Sequence, residues 1–268
     1  MFRPVSAELV SLLRELKPGA WNLPTVAEGW SVRDVVAHLG DGALRRLSFD
    51  RDHSTPPAPP DPIRAEREFA SYINTMNGEW VSVARRFSTR ILTDLFAWAS
   101  TALADYFESV ALDGPGRFGV SWAGEESSPV WFDVGREFTE LWHHQAQIRI
   151  AVGAPPLSNP EYLRAVLAIA IHALPQAYRN LPVKEGVTIA IEATGPSGGV
   201  WSLERESGKW KVFEGTDERP SARIRIADDA AWRLLFNALP EREIPEAIQV
   251  EGRLDFARPL LRARSVIV

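Results

Sequence analysis

The chain has 268 residues, of which 45% are hydrophobic, a formal net charge of −5 and no cysteine. This composition is typical of a globular protein of one or two domains, and the lack of a basic region argues against nucleic-acid binding. Without cysteine the protein has no disulfide, thiolate ligand or thiol nucleophile of its own. No apolar run approaches the roughly 20 residues of a membrane span, and the first residues lack the apolar region of a signal peptide. We therefore expect a cytoplasmic protein that does not interact with membranes.

The first part of the chain has the apolar spacing of helices. Residues 6–16 predict a helix that ends at Pro18. Ser31, followed three residues later by Asp34, predicts the start of a second helix that runs to about residue 51. His38 lies away from the apolar face of that helix, in a polar stripe with Asp34, Asp41 and Arg45. Such a histidine is either a surface residue or lines a site.

Two more long helices are predicted, over residues 63–86 and 89–112. Before them, residues 53–62 contain five prolines in ten positions, which excludes regular helix and predicts an extended loop. This loop is either a lid over a site or a plain surface connection, and the connection is the simpler interpretation.

The helix predicted over residues 131–152 contains Glu140 and His144, four residues apart, so both side chains can reach one point above the same face. Together with a histidine from another helix they form a two-His, one-Glu set, which is a catalytic zinc pattern. The alternative is a solvated Glu/His face. Glu137, near the same face, is either an orienting group, a further ligand, or an ordinary exposed glutamate.

A further helix is predicted over residues 159–179, capped by Asn159, with His172 as a packing residue. Residues 1–180 therefore predict a helical bundle, a fold that builds metal sites from inward-facing side chains on different helices. From residue 181 to 268 alternating β-branched segments predict an antiparallel sheet with helices, a small α+β domain. Its strands are expected near residues 187–193, 200–205, 209–213, 222–226 and 248–250, with helices from residue 228 and over 253–263.

Two segments, GWSVRDVVAHLG at residues 29–40 and ELWHHQAQIRIAVG at residues 140–153, resemble the mycothiol-dependent maleylpyruvate isomerase family. This family is a branch of the DinB/YfiT-like four-helix bundles. The resemblance implies His38, Glu140 and His144 as metal ligands. Many members have Asp where this chain has Gln147. The segments VWSLERESGKWKVFEG, ARIRIADDAAWRLL and IQVEGRLDFARPLL are similar to the sterol-carrier-protein-2-like (SCP2-like) C-terminal domain of many members.

The resemblance implies a metal-dependent isomerase or thiol transferase that uses mycothiol and acts on a small electrophile. The metal is expected to be divalent, and zinc suits the ligand set. Arg253 is a candidate group for binding the thiol or the substrate, with a surface arginine as the alternative, and no catalytic residue is predicted beyond the metal ligands. The second hypothesis is a metal-containing binding or regulatory protein without turnover. A lipid carrier is a third, although a carrier would not need the His/Glu set.

Overall fold

A computed structural model describes residues 1–117, 119–216 and 219–266. It has a helical N-terminal region followed by a five-stranded sheet with helices, which confirms the predicted fold class. The chain forms two compact units. The first consists of Met1–Leu112 and Glu140–Pro156, and the second of Asp113–Thr139 together with the described residues from Leu157 onward.

The first unit is built from helices whose apolar faces form its core. They are α1 (Phe2–Glu15), α2 (Val32–Arg46), α3 (Glu66–Ala84), α4 (Thr89–Ser109) and the C-terminal part of α5 (Val130–Val152). Helix α4 packs against α1 and α2, and α2 packs against α3. The proline-rich loop before α3 is tied to that helix, because Tyr72 Oη donates a hydrogen bond to the Pro57 carbonyl at 2.7 Å.

The predicted start of α2 is confirmed. The Ser31 backbone N–H and hydroxyl donate to Asp34 Oδ2 at 3.0 and 2.8 Å, which closes the capping box. Arg85 at the end of α3 donates to both Asp34 oxygens, at 2.9 and 3.0 Å. A π-helical turn over Leu47–Arg51 then extends α2 to the predicted end.

The predicted continuous helix over residues 159–179 is interrupted. Helix α6 (Pro160–Ala170) is followed by a 3₁₀ turn, Ile171–Ala173, and by α7 (Leu174–Tyr178). Pro175 has no N–H to donate to the carbonyl four residues earlier, so an unbroken helix cannot pass this point. The last predicted helix is also shorter, with a 3₁₀ turn at Leu254–Ala257 before α10 (Arg258–Arg262), whose second residue is again a proline.

The sheet of the second unit has the strand order β3-β2-β1-β4-β5. The elements are β1 (Thr188–Thr194), β2 (Gly199–Glu206), β3 (Lys209–Glu214), β4 (Ala222–Ala227), α8 (Asp228–Leu235), α9 (Ile244–Ala247) and β5 (Ile248–Gly252). The expectation of a wholly antiparallel sheet is wrong at one pair, because β1 and β4 run parallel. Side-chain alternation reveals the faces of a strand but not its partner, so this pairing had no local signal.

An apolar cavity of about 10 Å³ lies in the second unit, with Leu167, Ile191 and Trp201 among its lining residues. A cavity of this volume has room for about one water molecule and is too small for a lipid chain. In the described part of the chain, no helix combines the length and the apolar character that crossing a membrane requires.

Candidate metal centre

The first unit brings His38, Glu140 and His144 together. His38 lies in the middle of α2, and the other two lie one turn apart on α5. Their candidate ligand atoms are all within 4.8 Å of one another. Glu140 Oε2 is 3.9 Å from His38 Nε2 and 3.5 Å from His144 Nε2, so both imidazoles face the same carboxylate oxygen.

Aromatic rings hold the His38 imidazole in place. The ring of Trp30, just before the α2 cap, lies 5.0 Å from the His38 ring, and the His144 ring meets His38 edge-on at 4.8 Å. The His38 and His144 side chains are 14% and 10% exposed and Glu140 is 28% exposed, so solvent reaches this centre mainly beside the carboxylate. His143 also lies close, with its ring 4.0 Å from that of His144.

Gln147 orients His144. His144 Nδ1 lies 2.9 Å from Gln147 Oε1, and both side chains are buried. An amide oxygen only accepts hydrogen bonds, so the proton must be on Nδ1 and the Nε2 lone pair faces Glu140. His38 differs, because within the described residues its buried Nδ1 has no hydrogen-bond partner.

The environment keeps these side chains in forms that can bind a metal. Burial lowers the pKa of His38, which favours the neutral imidazole. Burial on its own raises the pKa of Glu140, but His143, His144 and His38 outweigh this effect and hold that pKa well below its ordinary value. Glu140 is therefore held as a carboxylate, and His38 favours its neutral imidazole.

This donor set fits a zinc ion. Ligands at about 2.0–2.1 Å around a tetrahedral ion lie roughly 3.4 Å apart. Glu140 Oε2 and His144 Nε2 are 3.5 Å apart, Glu140 Oε2 and His38 Nε2 are 3.9 Å apart, and the whole set lies within 4.8 Å. An ion held by these three side chains would keep one position open for a small molecule, as in catalytic zinc sites.

Arg45 and Asp41 on α2 and Asn77 on α3 form a polar cluster. Arg45 Nη2 lies 3.0 Å from Asp41 Oδ2 and donates to Asn77 Oδ1 at 2.8 Å. The polar stripe of α2 placed Arg45 and Asp41 beside His38 in the sequence. Asn77 was missed because it comes from another helix, and the Gln147 contact was missed although its i, i+3 spacing was a usable signal.

The other residues considered in the sequence lie in the second unit. Glu137 accepts a hydrogen bond from Arg136 Nη2 at 2.5 Å. Arg253 is exposed, donates to Asp255 Oδ1 at 3.0 Å and lies over the Phe256 ring at 4.5 Å. His172 packs against the rings of Trp131 and Phe132, with centroids at 5.7 and 5.0 Å.

The sequence profile of the mycothiol maleylpyruvate isomerase N-terminal domain matches residues 2–149, more than half of the chain and all of the candidate metal centre. The chain belongs to this family. A comparison of the sequence with curated proteins found no match.

Two solved structures of a mycothiol-dependent maleylpyruvate isomerase, one of them of a mutant, share the fold of this family member. Both have a TM-score of 0.55 and cover 94% of this chain and 91% of the other, at 12% identity and, for the mutant, 11%. The sterol carrier protein domain 2 of Helicoverpa armigera covers 40% of this chain and 91% of its own, at 23% identity and a TM-score of 0.29. That score is too low to support an argument.

Proposed function

We propose that this protein is a metal-dependent enzyme that uses mycothiol to isomerise a small electrophile or to attach a thiol to it. The observation behind this proposal is the convergence of His38, Glu140 and His144 within 4.8 Å, inside the region that matches the isomerase family. We propose these three side chains as the ligands of a divalent metal, with zinc as the best fit to two imidazoles and a carboxylate.

A bound zinc ion would stabilise the thiolate form of a thiol at its open position, which makes that thiol a nucleophile at neutral pH. The chain has no cysteine, so the thiol must arrive as a cosubstrate. Gln147 holds His144 with Nε2 directed to the centre, and Trp30 covers one side of His38. Glu140 contributes one negative charge and remains ionised because of its histidine neighbours.

For maleylpyruvate, addition of a thiolate to the double bond removes the barrier to rotation about that bond. Elimination of the same thiolate then gives the trans isomer, and the thiol is regenerated. Arg253 remains a proposed anion-binding group for thiol or substrate, since its exposed side chain keeps its charge at all relevant pH values.

The second candidate is a metal-containing binding or regulatory protein without turnover. Gln147 is the observation that favours it, because a neutral amide at this position supports His144 less strongly than a carboxylate would. A pure lipid carrier is a third candidate, and it leaves the cluster of His38, Glu140 and His144 without a role.

Elemental analysis of the purified full chain, followed by an isomerisation assay, tests the proposal. We expect about one zinc per chain and conversion of maleylpyruvate only when mycothiol is present. His38→Ala and His144→Ala should each lose the metal and at least 99% of the activity, because two ligands hold zinc poorly. Replacement of the exposed His53 by Ala is the matched control and should change neither quantity.

Three results separate the candidates. Metal without turnover supports the binding protein, and no metal at all excludes both functions. Full activity in His38→Ala and His144→Ala would show that the reaction does not use this centre.

A further inference from the structure

Arg45 lies on the same side of α2 as His38. The two residues are seven positions apart, which is two helical turns and a rotation of only about 20°. Long side chains on a helix lean towards its N-terminus, so the Arg45 guanidinium extends back towards His38. Its contact with Asp41, one turn earlier, at 3.0 Å agrees with this direction.

The guanidinium is held from one side only. Nη2 makes both contacts, to Asp41 and to the buried Asn77 on α3. Among the described residues no hydrogen bond of Arg45 Nη1 or Nε is present, and the side chain is 23% exposed. An arginine that is fixed in this way presents the rest of its planar fork for a bidentate contact with a carboxylate.

Open space lies next to this fork. Gly42 comes one turn after His38 and about 40° from it around the helix. A Cβ added at Gly42 would meet no atom within 4 Å among the described residues. The surface of α2 at Gly42, on the other side of His38 from Arg45, is therefore not covered by other described residues.

We propose that Arg45, together with the open space at Gly42, forms a subsite for a carboxylate of the electrophilic substrate. The inference rests on the proposed function and adds to it the residue that holds the substrate carboxylate. Arg45 binds this carboxylate and points the electron-poor carbon at the centre formed by His38, Glu140 and His144.

Binding of maleate to the zinc-loaded full chain, measured by isothermal titration calorimetry, tests this subsite without requiring turnover. We expect Arg45→Gln to raise the Kd for maleate at least tenfold and to leave binding of the neutral maleamide unchanged. Arg46→Gln is the matched control: Arg46 also pairs with an aspartate four residues away, Asp50, at 3.0 Å, but lies about 100° around the helix from Arg45. It should change the Kd by less than twofold.

Gly42→Leu is a second variant for the same binding measurement, and it leaves every charged side chain unchanged. It should also raise the Kd for maleate at least tenfold, because its side chain fills the open space. If Arg45→Gln fails to fold by circular dichroism, Arg45→Lys and Gly42→Leu decide, and both should weaken maleate binding.

The subsite is refuted if the wild type does not bind maleate, if Arg45→Gln binds it as the wild type does, or if Arg46→Gln loses as much. The proposed function fails separately, when wild-type protein with zinc and mycothiol does not turn over maleylpyruvate. Turnover together with an unaffected Arg45→Gln would therefore reject the subsite and leave the proposed function in place.

Discussion

At the scale of single residues, Gln147 orients His144 at the candidate metal centre. The amide oxygen accepts a hydrogen bond from His144 Nδ1, with 2.9 Å between the two heavy atoms, as a carboxylate would. It therefore selects the same histidine tautomer. Unlike a carboxylate, it brings no negative charge and leaves the imidazole less electron-rich. Gln147 therefore fixes the orientation of His144 without adding charge to the candidate centre.

Replacement of Gln147 should change the affinity for zinc. We expect Gln147→Leu to weaken zinc binding 10–100-fold, in the range found for lost hydrogen bonds to metal-bound histidines. Gln147→Glu should bind zinc at least as tightly as the wild type, because the acceptor is kept and a charge is added. Competition with a chromogenic chelator measures both affinities. Gln249→Leu, at an exposed position on β5, is the control, and equal affinities for Gln147→Leu and the wild type would contradict the orienting role.

At the scale of elements, α2 is the helix on which the candidate centre depends. Its first turn is held by Asp34, which accepts from Ser31 and from Arg85 and is almost fully buried. These contacts fix where α2 starts and how it meets α3. They therefore determine the positions of His38 and Arg45 along the axis of α2 relative to α3.

Asp34→Asn should lower the free energy of unfolding by about 2 kcal/mol, since a buried carboxylate with charge-assisted hydrogen bonds is replaced by a neutral amide. Urea denaturation at pH 7 measures the loss. Asp94→Asn on α4 is the control, because Asp94 is exposed and lies 3.9 Å from Arg90. That change should stay within about 0.5 kcal/mol of the wild type, and an equally small loss for Asp34→Asn would disprove the role of the cap.

The pH dependence of stability should follow from the same carboxylate. Burial raises the pKa of Asp34, but hydrogen bonds from Arg85 and Ser31 outweigh it, so the pKa in the folded state lies below the ordinary value of 3.8. Its stabilisation is complete above the unfolded-state pKa and is lost as the pH falls through the lower, folded-state pKa. Wild type and Asp34→Asn should thus differ most at neutral pH and converge below about pH 3. Denaturation curves at several pH values measure this difference, and a gap that widens on acidification would contradict the assignment.

At the scale of the whole molecule, the sequence changes from a helical to a strand pattern near residue 180, whereas the second compact unit also includes helices that precede this point. The division into residues 1–180 and 181–268 stays a prediction. Within the second unit, α7 packs on β3 and α10, and α6 packs on α8. Tyr178 Oη donates to the Phe256 carbonyl at 2.7 Å, and Ser265 Oγ donates to the Ala170 carbonyl at 2.8 Å.

We therefore expect that a fragment of residues 1–180 does not fold stably, because α6 and α7 would expose the apolar side chains that the sheet and its helices cover. Gel filtration and thermal unfolding of this fragment, with the full chain as control, provide the measurement. A monomeric fragment with a cooperative transition near that of the full chain would favour the boundary at residue 180.

Local chemistry explains which features could be read in advance. The capping box at Ser31 predicted the start of α2 because it needs only residues three apart. The i, i+4 spacing placed Glu140 and His144 on one face of α5 for the same reason. Alternation predicted the strands but not that β1 pairs with β4 in parallel, since partners are chosen by contacts far apart in sequence.

By itself, the sequence determined the order of helices and strands, the polar stripe that contains His38, and the absence of any thiol in the chain. Only the tertiary structure decided that the His38 ring lies against Trp30 and His144, that Gln147 orients His144, and that Asn77 fixes Arg45. The reason is physical: helix and strand periods arise between neighbours in the chain. A metal centre instead requires side chains from distant segments to meet within a few ångströms, and that depends on how whole helices pack.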